Sequence, residues 1–127
     1  MIRTNPTPQS HPAHLVTRRL HAVLDYVCAV ILLLASSFIP FHDPNMKTFS
    51  MAAGGFLLLY TILTDYKLSL LRMIPFFVHR GADLMVGVLV AFSPIHFGVR
   101  GFPAILFIVT GGLLIYLSFW THPDSST

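Results

Sequence analysis

Two histidine–aspartate pairs are the residues best equipped for chemistry: His21 with Asp25, and His79 with Asp83. A spacing of four places each imidazole and its carboxylate on one helical face, a turn apart. Two such pairs could supply axial histidines to a haem, relay protons, bind a cation, or form a metal site of two His and two Asp. They could also be purely structural, hydrogen-bonding across helices to fix register and orientation. Which use applies depends on the elements that carry them.

Those elements are apolar. Of 127 residues, 54% are hydrophobic and 10% charged, against about 25% charged in ordinary soluble domains. The mean hydropathy is +0.72. A chain this short cannot bury so much apolar surface within itself. An ordinary soluble enzyme, a nucleic-acid binder with a basic face and a disordered tail protein are all excluded as expectations; the lipid bilayer is the expected partner. Four apolar runs, Leu20–Ile39, Thr48–Thr64, Pro75–Ser93 and Phe102–Trp120, span 17 to 20 residues each, close to the roughly 20 a spanning helix needs. The first follows Arg18 and Arg19 and ends near small residues, as a signal peptide would. Its length and the internal Asp25 mark it instead as a retained span.

The predicted organisation is a tail over 1–18 (with Pro6, Pro8, Pro12, His11 and His14), spans in 19–66, an interfacial linker at 67–74, spans in 75–121, and a polar end at 122–127. Tight turns are expected around Pro40–Asn45 and from Pro94 to Gly101, with Pro40 and Pro94 ending their helices. With four spans, Arg3, Arg18, Arg19, Lys67, Arg72 and Arg80 share one side, opposite Lys47 and Arg100. The positive-inside rule then puts both termini in the cytoplasm. Tyr26, Tyr66, Phe119 and Trp120 fall near that boundary, and Phe38, Phe41, Phe97 and Phe102 near the other. The lone Cys28 lies inside the first run and reads as a buried, inert thiol.

The two halves repeat. His21 and Asp25 recur 58 residues later as His79 and Asp83, while Ser36-Ser37, Gly54-Gly55 and Thr64 recur 57 later as Ser93-Pro94, Gly111-Gly112 and Thr121. One single-residue gap reconciles the series. The expected fold is all-α: an integral membrane four-helix bundle of two parallel two-span hairpin repeats. The glycine pairs would let helices two and four approach their neighbours. By the repeat, His21, Asp25, Thr64, Asp65, His79, Arg80, Asp83 and Thr121 form one polar layer a turn inside the cytoplasmic end, with Arg80 placed to neutralise Asp25, Asp65 or Asp83.

The histidine four before an aspartate, the Ser-Pro closing that helix, the glycine-containing helix ending in threonine, and the stretches Thr64-Asp65-Tyr66 and His79-Arg80-Gly81-Ala82-Asp83 together resemble the SPW-repeat family of small bacterial and archaeal membrane proteins. The resemblance covers roughly 19 to 121, although Ile95 stands where the namesake tryptophan would and the first half reads Ser36-Ser37-Phe38. It implies a four-span protein of uncharacterised activity in a bacterial or archaeal cytoplasmic membrane, and supplies no catalytic residues. No P-loop, G-x-S-x-G, H-E-x-x-H or cysteine pair occurs, so no enzymatic activity is expected. The reading adopted is a non-enzymatic interaction or assembly protein, with a homo-oligomer or a membrane protein as partner and a structural polar layer holding no metal. The competing reading is a small oligomeric transporter or channel, or a haem- or metal-binding protein, with His21 and His79 as ligands.

Overall fold

Where each helix starts and stops follows from local chemistry. In a computed structural model describing residues 17–64 and 74–121, the helices are α1 (Arg18–Phe38), α2 (Pro44–Leu63), α3 (Phe76–His96) and α4 (Phe102–Trp120). Thr17 caps α1 by accepting from the Leu20 amide at 3.2 Å. Asp43 caps α2 through the Asn45 amide at 2.8 Å, with Pro44 in the first turn. This cap starts α2 a turn earlier than the apolar run suggests. Gly98 and Gly101, with φ of 66° and 72°, carry the left-handed backbone of the α3–α4 turn.

All four helices are long and apolar enough to cross a membrane, so the chain is a multi-pass membrane protein. Helices α1 and α2 pack as one hairpin and α3 and α4 as another; α2 meets α3 and α1 meets α4 along two seams, leaving α1 and α3 diagonally opposed. Buried Cys28, Leu32, Leu57, Val90, Phe107 and Leu114 fill the middle. Phe92 and Val109 face outward, 61% and 62% exposed, as lipid-facing side chains should. Of the aromatics assigned to the far boundary, Phe38 and Phe102 are exposed. Phe41 and Phe97 turn inward instead, against Phe107 and Phe49.

Pro94 does not end its helix. Helix α3 continues to His96 with Pro94 inside it. Proline removes the amide that would have bonded the Val90 carbonyl, and Ser93 Oγ donates to that carbonyl at 2.7 Å. The serine thus replaces the lost donor. Pro40 lies beyond the end of α1, as expected.

Lipid tails provide no hydrophobic force between helices, so close backbone approach matters most. Only the first glycine of each pair makes such an approach. A Cβ on Gly54 would lie 3.0 Å from Leu32 Cβ, and one on Gly111 would lie 2.4 Å from the Ala91 amide nitrogen and 2.5 Å from the Gly87 carbonyl oxygen. Gly87 faces Gly111 in turn, whereas Gly55 and Gly112 point into open space. Gly111→Ala should therefore cost about 1–3 kcal/mol by overpacking, while Gly112→Ala should be neutral or slightly stabilising. Thermal unfolding of both variants in detergent, followed by circular dichroism, checks this contrast; equal melting behaviour would refute the glycine contact.

Candidate functional site

His21 and His79 are each the fourth residue of their helices, α1 and α3, and Asp25 and Asp83 follow a turn later. All four side chains are fully buried. Because α1 and α3 sit on the bundle diagonal, the four meet at its axis. Their shortest contacts are not within a helix. His21 Nε2 lies 2.6 Å from Asp83 Oδ2 and 3.2 Å from Asp25 Oδ2; His79 Nε2 lies 2.6 Å from Asp25 Oδ2 and 3.2 Å from Asp83 Oδ2. Four atoms thus form a closed ring, with the tight edges crossing between hairpins and the loose edges running along each helix.

Two threonines orient this ring. Thr121 and Thr64 are the C-cap residues of α4 and α2. Thr121 Oγ1 donates to the Leu117 carbonyl at 2.7 Å and lies 2.6 Å from His21 Nδ1. Thr64 Oγ1 donates to the Tyr60 carbonyl and lies against His79 Nδ1, both at 2.5 Å. A hydroxyl has one proton, and each threonine gives it to a backbone carbonyl. Each Nδ1 must therefore carry hydrogen and donate to its threonine. That leaves both Nε2 atoms facing carboxylate oxygens. Two bare lone pairs at 2.6 Å would repel, so one proton lies in each tight contact. The four side chains then sum to zero net charge.

Tyr60 joins the ring and breaks its symmetry. Its hydroxyl donates to Asp83 Oδ1 at 2.5 Å, and its ring packs edge-on against His79 at 4.7 Å between centroids. The residue 57 positions on is Leu117, a buried hydrocarbon. Nothing in the repeat pointed to Tyr60; its place four residues before Thr64, on the same helical face, was the available signal. Buried Phe76 closes the terminal side, stacking on His79 and meeting His21 edge-on, with the Arg18 guanidinium 4.3 Å above its ring.

Arg80 bonds to α4 rather than to Asp25 or Asp83. Its Nε donates to the Ser118 carbonyl in the last turn of α4 at 2.7 Å, where helix carbonyls lack intrahelical partners. Asp25 and Asp83 are met by the histidines instead. The structure therefore brings together His21, Asp25, Thr64, His79, Asp83 and Thr121 from the expected layer, adds Tyr60, and sets Arg80 outside the ring. Asp65 lies outside the described residues, as do Tyr66, Lys67 and Arg72 of the linker, the tail with Arg3, His11 and His14, and His122. A haem does not fit between His21 and His79: their ring centroids are 5.5 Å apart, and both carboxylates occupy the gap where a macrocycle would have to lie.

Comparisons of the chain with protein-family models, curated proteins and solved structures find no match.

Removing the Tyr60 hydroxyl tests the asymmetric arm. Tyr60→Phe leaves a buried carboxylate oxygen short of a donor and should destabilise the bundle by about 1–3 kcal/mol, read as a lower unfolding temperature in detergent. An unchanged temperature would remove Tyr60 from the site.

Proposed function

We propose that this is a non-enzymatic membrane protein whose buried histidine–aspartate ring is an internal clasp, holding two helical hairpins in one register so that the bundle serves as an interaction or assembly unit. One observation carries the reading. His21 contacts Asp83 and Thr121, His79 contacts Asp25 and Thr64, and Tyr60 contacts Asp83; every one of these bonds joins one hairpin to the other. Polar side chains in lipid are expensive unless partnered inside the protein, which makes a mismatched register costly and the matched one unique.

Further features support this reading over transport. Among the described residues, the core between the ring and the far end is mainly hydrocarbon. The buried hydroxyls of Ser36, Ser50, Thr61 and Ser93 all donate to backbone carbonyls, so they offer no chain of exchangeable partners. The reciprocal bonding of the two histidines, with buried Leu32 and Leu57 answered by Val90 and Leu114, supports an internal duplication and, with it, the SPW-repeat kinship. The excess of basic residues at the ring end supports cytoplasmic termini. The outer helix faces are the surfaces left for a homo-oligomer or a membrane partner.

Asp25→Ala and Asp83→Ala should each cost about 3–5 kcal/mol, because each strands a buried partner; Asp83→Ala also strands Tyr60. Melting of the metal-free variants in detergent measures both; wild-type stability in either would end the clasp reading. For orientation, cysteines replacing Lys47 or Arg100 should react with an impermeant maleimide outside intact cells. Cys28 is fully buried and should give no background. Labelling at position 67 from outside would invert the topology.

A further inference from the structure

We propose that the ring is also a closed, four-ligand site for a divalent transition-metal ion of the zinc type, in which one cation bound by His21, Asp25, His79 and Asp83 takes the place of the two shared protons. This goes beyond the clasp and rests on the geometry of the ring, not on its mechanical role.

The donor set is the first reason. Two imidazole nitrogens and two carboxylate oxygens converge, with ligand atoms all within 4.8 Å of one another. Imidazole with carboxylate suits borderline ions such as zinc. A tetrahedral ion holds N and O ligands at about 2.0–2.1 Å, hence about 3.3 Å from each other. The nitrogen–nitrogen and oxygen–oxygen pairs, within 4.8 Å, are drawn to that spacing by the ion. The two within-helix edges already measure 3.2 Å, and the two cross-hairpin edges of 2.6 Å need to open by about 0.7 Å to reach it. Once the protons leave, lone-pair repulsion pushes in that direction.

Orientation is the second. Thr64 and Thr121 hold hydrogen on both Nδ1 atoms, so the atoms presented to the centre are the Nε2 lone pairs. Histidines that bind metal commonly donate their other nitrogen to such an acceptor, which fixes ring and tautomer. Here that second layer is already in place, and each threonine is itself tied to a helix carbonyl.

Charge balance is the third. Two carboxylates and a divalent cation sum to zero, as do the same side chains with their two shared protons. Exchanging two protons for one ion therefore adds no net charge to a site inside the membrane, the most expensive change it could otherwise undergo. Four protein ligands fill a tetrahedral shell, and Phe76 and Tyr60 pack against the imidazoles, so the site is of the structural rather than the catalytic kind.

The test uses the full chain, purified in detergent without a polyhistidine tag, stripped with chelator, and shown by circular dichroism to be folded before titration with cobalt(II) and then zinc(II). The expected result is one cobalt per chain with the intense visible absorption of a tetrahedral site, displaced by zinc. Thr64→Val and Thr121→Val should keep that spectrum and weaken binding about 10- to 100-fold. Asp25→Asn should abolish it, and the doubly substituted His11→Ala/His14→Ala chain should bind as the wild type does. If Asp25→Asn does not fold, the threonine variants decide: unchanged affinity in both overturns the site. Folded wild-type protein that takes up no cobalt, or gives only the weak spectrum of an octahedral ion, overturns it too, and leaves the clasp standing. Metal-free Asp25→Ala and Asp83→Ala proteins as stable as wild type would instead overturn the clasp and leave the metal site.

Discussion

The hydrogen bond from each histidine Nδ1 to a threonine that has already given its own proton to a helix carbonyl is the constraint on which the rest depends. It sets the tautomer, aims Nε2 at the axis, and so requires the carboxylate there to come with a proton or a cation. The threonines sit where α2 and α4 end, and the histidines where α1 and α3 begin. Helix ends are where backbone carbonyls lack intrahelical partners. Thr64 and Thr121 bond backward to the Tyr60 and Leu117 carbonyls of their own helices and still accept from a neighbouring one.

Around that layer the bundle divides its work. Within a hairpin, contact is by backbone: Gly54 against Leu32, and Gly111 against Gly87 and Ala91. Between hairpins at the ring end, contact is by polar side chains. This division suits a bilayer, where apolar surfaces gain little by meeting each other and where small residues and satisfied hydrogen bonds supply the preference for one arrangement. The middle of the bundle, filled by Leu32, Leu57, Val90 and Leu114, adds shape without adding much choice of register.

Much of this was legible in the sequence, for identifiable reasons. Four spans are visible because lipid imposes a length and an apolar composition on them, and the ring residues are visible because titratable groups inside spans are rare. Their pairing was not legible. Spacing of four suggests that His21 belongs to Asp25, yet its shorter contact is to Asp83; no one-dimensional pattern contains a diagonal across a bundle. Tyr60 escaped because its counterpart Leu117 is apolar, so a search for repeated polar residues passes over it. Gly87 escaped because it is single. Pro94 reads as a terminator because proline near a helix end usually stops it, and the rescue by Ser93 depends on where one hydroxyl points. Charge alone would pair Arg80 with Asp25 or Asp83, whereas a cation beside a helix C-terminus has carbonyls to bond as well.

The reciprocity of the ring has a consequence for assembly. Each hairpin brings half of every bond: one histidine, one aspartate and one threonine. Nothing in those contacts records which polypeptide a hairpin came from. What favours closure within one chain is proximity, since the Ile74 amide is bonded to the Leu63 carbonyl at 2.7 Å and the second hairpin therefore begins beside the end of the first. The connection between them sets an effective concentration, and lengthening or cutting it would turn an intramolecular fit into a bimolecular one. The same four side chains would then act as a dimerisation code, with Tyr60 and Phe76 among the described residues that tell a first half from a second.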